Sequence, residues 1–391
     1  MKHLLVSEIF PPRTGGSGRW LWEIYRRMPR EQVVAAVGDD PRAAEFDRTH
    51  DLRVIRLPMA MSEWGVRSVR GLGGYWRGVR RLLDIARAEQ VETLHCGRCL
   101  PEGLMALVVK RWTGIPYVCY VHGEDVTGAA TSRELSWLVR RVFGGAEFVI
   151  ANSQNTRQIL ETQWQLCGDR IRVLYPGVDT QRFTPAGRDR CVREQLGWHE
   201  RPIVLTVGRL QKRKGHDQMI AALASVRRAA PDVLYAIVGA GEERGPLEQL
   251  VKSCGLQDHV QFLGELDDEQ LVRCYQQCDL FVLPNRQVGS DIEGFGMVLV
   301  EAQACGRPVV AGASGGTAET MRVPATGRVV PCETPGPLAS VVVELLRDAE
   351  LRRRMGEAAR RWTVERFDWT TLSAQALAMF ENARPGSKQV A

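Results

Sequence analysis

Two glutamates flank a short glycine-rich segment within residues 284–305. Glu293 stands directly before Gly-Phe-Gly at 294–296, and Glu301 follows eight residues later in an apolar run expected to be helical. Glycines let a ligand approach the main chain, and free amides at a helix start attract anions. At about 1.5 Å of rise per residue the carboxylates lie on the order of 10 Å apart, which suits a sugar and a ribose joined by a diphosphate. A pair of ordinary surface glutamates is the plainer interpretation, and the glycines disfavour it.

Carboxylates repel phosphates, so a phosphate site here needs cations nearby. The loop at 208–215 supplies Arg209 and Lys214 between glycines. Arginine binds a phosphate through two parallel hydrogen bonds, while lysine acts as a point charge. Lys212 and Arg213 in the same loop are interpreted as solvent-exposed turn charges.

Two strand ends in the first half of the chain carry further residues suited to ligand binding. Glycines at 15, 16 and 18 open a predicted helix at 19–28, which brings backbone amides toward a diphosphate. A tight turn alone would need fewer glycines. His122 follows a predicted strand at 117–121, and this position favours a ligand-binding histidine over the more common structural one.

Short apolar runs that alternate with helical patterns place these loops at strand ends. The alternation is typical of βαβ units, so the predicted fold class is α/β with doubly wound parallel sheets. Such sheets bind ligands at the carboxyl ends of their strands. The predicted strands are 3–6, 32–37, 54–57, 117–121, 148–150 and 171–174 in the first half, and 203–207, 234–238, 260–263, 280–283, 308–311 and 328–330 in the second.

Each half of the chain holds a complete set of strands, which predicts two Rossmann-like domains facing a central cleft. Turn residues at 176–187 separate the two sets, and helical stretches at 351–367 and 369–380 follow the last strand. We expect the final helix to pack back on the first domain, because it has no strand of its own to cover. The predicted domains are 1–185 and 186–367, followed by a returning C-terminal helix with a polar tail at 368–391.

The composition indicates a globular enzyme. The 391 residues are 44% hydrophobic and 25% charged and include 38 glycines, which excludes a disulfide-stapled miniprotein, a collagen, a coiled coil and wholesale disorder. The first apolar run ends at Ser7, too early for a signal peptide or a membrane span. Ten cysteines without a repeating spacing are typical of reduced thiols. We therefore expect a cytoplasmic protein.

The positive charge is confined to the first half of the chain. Residues 1–190 hold 28 lysines and arginines against 21 acidic residues, whereas residues 191–391 hold 24 against 25. The basic stretch at 59–88 interleaves arginines with aromatic residues. It is interpreted, in order of preference, as an exposed helix with a buried aromatic face, as a basic amphipathic surface on anionic lipid, or as a nucleic-acid site.

These motifs, taken together and in this order, resemble glycosyltransferase family 4. Members of that family are retaining, nucleotide-sugar-dependent enzymes of the GT-B architecture, and the resemblance runs from Leu5 to about Phe380. Residues 284–301 are most similar to bacterial enzymes of the phosphatidylinositol-mannoside mannosyltransferase type, which use GDP-mannose. The motifs that carry the resemblance are the Gly-Gly loop near the N-terminus, His122-Gly123, Ala151-Asn152-Ser153, Val207-Gly208-Arg209, Lys214-Gly215, Glu293-Gly294-Phe295-Gly296 and Glu301-Ala302.

The resemblance implies roles for individual residues. Arg209 and Lys214 would bind the donor diphosphate, Glu293 would contact the hydroxyls of the donor sugar, and Glu301 would hold the ribose. His122 would lie beside the transferred sugar, and residues 259–264 would hold the base. The implied catalytic residues are Glu293, Arg209, Lys214 and His122. The implied substrate-binding residues are Gly15, Gly16, Phe295, Gly296, Met297, Val298, Glu301, Asn152, Phe262 and Leu263.

No metal or other cofactor is expected. None of the 18 aspartates is spaced Asp-x-Asp, the diphosphate-metal motif of the other main glycosyltransferase architecture. Cations and a helix start aimed at the diphosphate can stabilise the charge that develops on it. Retaining glycosidases place two carboxylates about 5 Å apart, closer than the estimate for Glu293 and Glu301. The resemblance therefore suggests same-face attack, in which the acceptor hydroxyl gives its proton to the departing phosphate.

Several alternatives stay open from the sequence. An NAD-dependent dehydrogenase would use Gly239-Ala240-Gly241 after a strand, although Gly245 falls one residue beyond the fingerprint spacing. A phosphorylase-like enzyme would need a lysine that carries pyridoxal phosphate. A basic protein that binds nucleic acid or a lipid surface comes from a different class. We expect a nucleotide-sugar donor, no nucleic acid, an acceptor that is a lipid, a polysaccharide or a small metabolite, and peripheral contact with the inner face of the plasma membrane as a further option.

Overall fold

The computed structural model describes residues 1–61 and 63–381, which form two compact units. The first unit comprises Met1–Pro176 together with the chain from Trp369 onward, and the second comprises Gly177–Asp368. The predicted polar tail lies outside the described residues. No helix among the described residues has the length and apolar character that crossing a bilayer requires.

The first unit is built on a seven-stranded parallel sheet with the order β3-β2-β1-β4-β5-β6-β7. Its inner strands are apolar on both faces because helices cover both faces of a doubly wound sheet. The strands are β1 (His3–Ser7), β2 (Val33–Gly38), β3 (Arg53–Leu57), β4 (Thr93–Cys96), β5 (Tyr117–Val121), β6 (Val149–Ala151) and β7 (Ile171–Val173). The helices are α1 (Gly16–Tyr25), α2 (Ala43–Phe46), α3 (Val69–Ala88), α4 (Leu104–Thr113), α5 (Glu124–Ala129), α6 (Arg133–Gly145) and α7 (Gln154–Thr162).

The second unit is built on a six-stranded parallel sheet with the order β10-β9-β8-β11-β12-β13. The strands are β8 (Ile203–Val207), β9 (Leu234–Val238), β10 (Val260–Gly264), β11 (Leu280–Leu283), β12 (Val309–Gly312) and β13 (Gly327–Val330). The helices are α8 (Arg190–Gln195), α9 (His216–Ala229), α10 (Arg244–Ser253), α11 (Asp268–Gln277), α12 (Met297–Ala304), α13 (Pro335–Arg347) and α14 (Ala349–Phe367), and α15 (Trp369–Glu381) then returns to the first unit.

The twelve strands predicted from the sequence are all present, with ends that move by at most one residue. The sequence prediction missed β4, which is central to its sheet. The prediction of a first helix at 19–28 was wrong at both ends, since α1 spans Gly16–Tyr25. Gly18 lies inside this helix. A Cβ on it would lie 2.9 Å from the carbonyl oxygen of Ile9, so glycine permits close packing at this position.

The C-terminal helix packs on the first unit, as predicted. The Ser373 hydroxyl donates to the carbonyl oxygen of Glu23 in α1 at 3.4 Å. The Phe380 ring lies 4.4 Å from the buried ring of His95 in β4, measured between centroids. Apolar burial by α15 therefore completes a core that α1 and β4 leave open.

Candidate functional site

The loops after β8 and β11 are held against each other because these strands are neighbours in the sheet. A Cβ on Gly215 would lie 1.8 Å from the carbonyl oxygen of Pro284, so only glycine fits where the two loops cross. Gly215 also has φ of 73°, a left-handed conformation that glycine adopts without strain. The amide of Arg286 donates to the carbonyl of Arg213 at 2.8 Å and adds a backbone link.

Glu293 forms the centre of a buried ion cluster at this junction. One carboxylate oxygen accepts from Lys214 Nζ at 2.5 Å and also pairs with the Arg213 guanidinium. The Glu293 side chain is 11% exposed and that of Lys214 is 10% exposed. Burial disfavours the charged carboxylate, but the attraction of the two cations outweighs burial and holds the pKa of Glu293 below its ordinary value. Glu293 therefore stays charged at neutral pH.

Arg213 corrects the sequence interpretation of a solvent-exposed turn charge. Its side chain is only 11% exposed and pairs with both Glu293 and Asp291, the latter at 3.1 Å. Lys212, by contrast, is exposed as expected. The short 3₁₀ turn at Lys212–Lys214 directs the last two side chains inward, a geometry that a run of basic residues does not reveal.

Arg209 provides a further cation at the end of β8. It directly follows β8 and Gly208, and it is exposed. Its guanidinium forms no ion pair with a described residue. An exposed, unneutralised arginine at the carboxyl edge of a parallel sheet is suited to an anionic ligand.

The start of α12 adds backbone donors at the same edge of the sheet. Gly296 caps the helix in a left-handed conformation with φ of 91° and offers no side-chain acceptor. The first-turn amides of Met297 and Val298 therefore have no intrahelical partner and no cap. Phe295 is buried, and its ring lies 5.7 Å from that of Phe367. Its ring thus belongs to the core, so a ligand at this position would meet its backbone.

Glu301 lies one turn into α12 and is buried. One of its carboxylate oxygens accepts a hydrogen bond from the Tyr275 hydroxyl of α11 at 2.7 Å. Tyr275 was not singled out in the sequence, because it is 26 residues away and belongs to no recognisable motif. The hydroxyl orients the carboxylate that the resemblance assigns to the ribose, and that assignment stays a prediction.

Asn285 organises the ends of β11 and β12 and was likewise missed. Its side-chain amide donates to the carbonyl of Ser314 at 2.9 Å, and its side-chain oxygen accepts from the amide of Gly312 at 3.0 Å. The amide of Gly316 in turn donates to the carbonyl of Glu293 at 3.0 Å. These bonds fix the backbone that carries Glu293.

Phe262 and Leu263, the residues expected at the base, lie half-buried on β10 at the edge of the sheet. β9 separates them from β8 and its cationic loop. The Arg244 guanidinium lies 4.3 Å from the centroid of the Phe262 ring. Their contact with a base stays a prediction.

A second cluster occupies the strand ends of the first unit. His122 follows β5, is buried, and donates through Nε2 to the carbonyl of Gly97 at 2.7 Å. Burial lowers the pKa of His122, so the ring is neutral and Nδ1 is its acceptor nitrogen. The Asn152 side chain donates to the carbonyl of His122 at 3.0 Å and accepts from the Thr156 hydroxyl at 2.7 Å. Asn152 therefore positions the backbone of His122.

The glycine loop of the first unit ends where α1 begins. Gly15 is the N-cap in an extended conformation and provides no side-chain acceptor, and Gly16 is the first helical residue. The first-turn amides are thus uncapped, as at α12. Whether they meet a ligand stays a prediction.

Glu102 is a fully buried carboxyl that the sequence did not single out. One oxygen accepts from the amide of Glu8 at 2.8 Å, while the other is buried without a hydrogen-bond partner among the described residues. Burial raises the pKa of Glu102 to about 7, from an ordinary value of 4.5. Between these values the folded protein holds a proton that the unfolded chain has lost, so stability falls as pH rises through this window.

Replacing Glu102 with glutamine is expected to remove this pH dependence, because the amide stays neutral at every pH. At about pH 8 the variant should be more stable than the unmodified protein by about 3 kcal/mol, and near pH 4.5 the two should agree. Urea unfolding at a series of pH values measures the difference. The exposed Glu31→Gln is the control and should follow the unmodified protein. Equal pH profiles for Glu102→Gln and the unmodified protein would contradict the assigned cause.

The glycines that suggested a dehydrogenase have a packing role. A Cβ on Gly239 would lie 2.1 Å from the carbonyl oxygen of Gly208, and one on Gly241 would lie 2.5 Å from that of Leu210. Both glycines allow the loop after β9 to contact the cationic loop after β8. The dehydrogenase alternative is therefore not favoured. The described residues contain no cluster of three or more histidine, cysteine or acidic side chains placed to hold a metal ion.

Two family models match the chain. Residues 190–362 match the model described as glycosyl transferases group 1, and residues 14–182 match glycosyltransferase family 4. The chain is 32% identical to a GDP-mannose-dependent alpha-(1-6)-phosphatidylinositol monomannoside mannosyltransferase of Mycolicibacterium smegmatis, over 97% of this chain and 98% of that one. It is 31% identical to a GDP-mannose-dependent monoacylated alpha-(1-6)-phosphatidylinositol monomannoside mannosyltransferase of Corynebacterium glutamicum, over 94% of each.

Solved structures share the fold. Anabaena HepE in complex with UDP matches with a TM-score of 0.83 and 23% identity over 98% of this chain and all of that one. Sucrose-phosphate synthase of Thermosynechococcus elongatus matches with a TM-score of 0.81 and 22% identity over 98% of this chain and 99% of that one. These likenesses confirm the expected GT-B fold class.

Proposed function

Since this chain belongs to glycosyltransferase family 4 and is a hexosyltransferase, we propose that it transfers mannose from GDP-mannose to a hydroxyl of a phosphatidylinositol-type lipid. The donor and the acceptor are those named for the mycobacterial and corynebacterial relatives. The observation that carries the proposal is the buried cluster of Glu293 with Lys214 and Arg213. The cluster supports the proposal because a carboxylate suited to sugar hydroxyls lies directly beside cations suited to a diphosphate.

In the proposed reaction the bond between the anomeric carbon and the diphosphate breaks, and negative charge grows on the departing GDP. Lys214 and the uncapped amides of α12 are held in place, and together with Arg209 they stabilise that charge as it develops. Glu293 accepts hydrogen bonds from sugar hydroxyls while it holds Lys214 in position. The leaving group is thus stabilised by the protein, and we propose that no metal is required.

We further propose that the transfer retains the anomeric configuration through same-face attack. Of the two carboxylates, Glu293 is paired with the cations, and Glu301 accepts a hydrogen bond from the Tyr275 hydroxyl of α11. A double displacement would need a carboxylate nucleophile beside the anomeric carbon. In the same-face path the acceptor hydroxyl attacks the anomeric carbon, and its proton passes to an oxygen of the departing phosphate.

The experiment that tests the proposed function is a transfer assay on the full chain. The protein is incubated with GDP-mannose and vesicles that contain phosphatidylinositol mannoside, and both GDP release and mannolipid are measured with and without EDTA. We expect lipid-dependent GDP release that EDTA does not change, and an alpha linkage in the product. Transfer from UDP-glucose but not from GDP-mannose would overturn the proposed identity of the donor. Loss of transfer with EDTA, together with its recovery on adding manganese, would overturn the metal-free mechanism.

We also propose that the first unit contacts an anionic membrane surface through α3. Val69, Leu72 and Trp76 recur at helical spacing on one stripe of α3 and are all exposed, Val69 by 87%. Trp112 at the end of α4 is exposed too, and its ring lies 5.8 Å from that of Trp76. We call these four residues the apolar stripe. The basic stretch thus presents an apolar surface flanked by arginines, which fits a lipid interface better than a nucleic acid.

Replacing Leu72 and Trp76 together with serine is expected to weaken vesicle binding at least about tenfold, because two large apolar side chains no longer enter the lipid. Flotation with vesicles that contain anionic phospholipid measures the effect. Trp137→Ser is the matched control, since Trp137 of α6 is 53% exposed against 55% for Trp76 but lies outside the apolar stripe. If both variants lost binding equally, the apolar stripe would not be the contact.

A further inference from the structure

A groove of about 510 Å³ lies at the amino edge of the sheet in the second unit. Asp279 and Pro308 of its lining directly precede β11 and β12. The proposed donor site uses the loops after β8 and β11, which leave the opposite edge of the same sheet. The four residues of β11 put about 13 Å of strand between the two edges. The groove is therefore separate from the site around Glu293.

Helix α14 forms one wall of the groove, where its residues line up in two rows at intervals of four. The rows are Arg352, Gly356 and Arg360, and Arg353, Glu357 and Arg361. A Cβ on Gly356 would lie 2.1 Å from the carbonyl oxygen of Gly306, so α14 touches the loop that enters β12. Glycine at this crossing brings the arginines of α14 close to the residues that precede β11 and β12.

The lining of the groove carries five arginines against two carboxylates, and we call this cavity the arginine groove. The arginines are Arg307, Arg352, Arg353, Arg360 and Arg361. The excess is local, because residues 191–391 as a whole hold 24 lysines and arginines against 25 acidic residues. Arginines that share a cavity of this size repel one another, since their separation is comparable to the Debye length of about 8 Å. An anion in the groove relieves that repulsion.

Two of these arginines are fixed by backbone carbonyl groups, which orient a guanidinium without neutralising it. Arg360 donates to the carbonyl oxygens of Phe183 at 2.8 Å and of Ala304 at 3.0 Å. Arg307 donates to the carbonyl oxygen of Ala186 at 3.0 Å, and its buried Nε has no hydrogen-bond partner in the described part of the chain. Neither forms an ion pair with a described residue. Guanidiniums that are already ordered bind a phosphate with little further loss of side-chain entropy.

Two more guanidiniums lack a carboxylate partner within the described ranges. Arg352 donates to two carbonyl oxygens at the end of α13, and Arg361 is exposed and has no hydrogen bond there. The carboxylates of the lining are engaged elsewhere. Glu357 pairs with Arg353, and Asp279 accepts from the first backbone amide of β8 at 2.8 Å. The arginine groove thus offers four guanidiniums whose charge the protein leaves unpaired.

We propose that the arginine groove binds a soluble organic bisphosphate, such as a sugar bisphosphate. A phosphate monoester carries about −1.5 to −2 charges at pH 7, so two such groups match four guanidiniums. The volume of about 510 Å³ falls within the range of small-ligand pockets. None of the lining residues is a large exposed apolar side chain, which disfavours a lipid headgroup held at a bilayer. The proposal does not depend on the donor or the acceptor of the transfer reaction.

The first test measures binding by the unmodified full chain near physiological ionic strength. Calorimetric titration with fructose 1,6-bisphosphate is compared with titrations of fructose 6-phosphate and of fructose. We expect the bisphosphate to bind at least about tenfold more tightly than the monophosphate, and fructose not to bind, because each phosphate engages its own guanidiniums. Equal affinity for the two phosphates would overturn the proposal, as would the absence of binding by the bisphosphate.

The second test reverses one charge of the groove. Arg361→Glu changes an exposed side chain, and Arg354→Glu is the matched control, because Arg354 is exposed on the same helix but outside the lining. We expect Arg361→Glu to weaken binding of the bisphosphate at least about tenfold and Arg354→Glu less than about twofold. Equal losses would overturn the proposal, since the overall charge of α14 would then suffice. If Arg361→Glu does not fold, Arg361→Met takes its place with an expected loss of at least about threefold.

Lys214→Met distinguishes the arginine groove from the proposed donor site, because Lys214 lies at the opposite edge of the sheet. We expect its affinity for the bisphosphate to stay within about twofold of the unmodified protein. If Lys214→Met abolished binding while Arg361→Glu retained it, the bisphosphate would occupy the donor site and the proposal would fail.

Vesicles that contain phosphatidylinositol 4-phosphate test the lipid headgroup as the source of the phosphates. We expect Arg361→Glu and the unmodified protein to float equally with these vesicles, because the ligand of the arginine groove is soluble. Flotation that is lost in Arg361→Glu but kept in Arg354→Glu, together with no binding of the soluble bisphosphate, would overturn the proposal in favour of a lipid.

Discussion

Replacing Glu293 with glutamine is expected to lower kcat of the transferase by about 10²–10³-fold. Glutamine keeps the size of the side chain but removes the charge that holds Lys214 and Arg213. It also replaces a strong acceptor of sugar hydroxyls with a weaker one. Initial rates of GDP release at saturating GDP-mannose measure the loss, and circular dichroism checks the fold.

Asp291→Asn is the matched control for Glu293→Gln. Asp291 pairs with the same arginine, but its side chain is 47% exposed, so its removal should lower kcat less than about fivefold. Because the pKa of Glu293 lies below its ordinary value of 4.5, activity should not fall through protonation of this residue between neutral pH and about pH 5. An active Glu293→Gln enzyme would remove Glu293 from the site.

The strands were predictable because each is an apolar run with turn residues at both ends. β4 was missed for the same physical reason, since Thr93–Cys96 contains no apolar run: Leu94 stands between a threonine and a histidine. Its place in the centre of the sheet comes from partners far along the chain, with Leu94 opposite Leu4 and Tyr117. Only the tertiary structure supplies those partners.

Within the site, the sequence identified the residues that belong to motifs and missed those that position them. Glu293 and Lys214 were singled out because glycines mark their loops, and the structure pairs their side chains. Arg213 was misjudged, because nothing in a basic run says which member turns inward. Asn285 and Tyr275 carry no motif, since their hydrogen bonds join loops and helices that are separate along the chain. Local patterns therefore predict the loops that form a site, while the orientation of its side chains depends on long-range contacts.

Charge balance explains why the positioning residues matter for the reaction. Lys214 and Arg213 are neutralised in part by Glu293 and Asp291, whereas Arg209 forms no ion pair with a described residue. A diphosphate bound as we propose would add negative charge beside Glu293, which is favourable only if Lys214 and Arg213 stay between the two anions. Rigid loops, fixed by Gly215 and Asn285, keep them there.

Replacing Lys214 with methionine is therefore expected to have the largest effect of any single change in the loop after β8. The charge next to the leaving diphosphate is lost, and Glu293 then keeps only Arg213 as a compensating cation. We expect kcat/KM for GDP-mannose to fall by about 10²–10⁴-fold, with a weaker melting-temperature shift on adding GDP.

Lys212→Met is the matched control, because it removes the same charge from the same turn at an exposed position. Its kcat/KM should stay within about twofold of the unmodified protein. Combining Lys214→Met with Glu293→Gln should cost much less than the product of the two single losses, because each variant disrupts the same ion pair. If the losses multiplied, the two residues would act independently and the cluster would not work as a unit. If Lys212→Met were as inactive as Lys214→Met, the total charge of the loop would matter more than the buried position of Lys214.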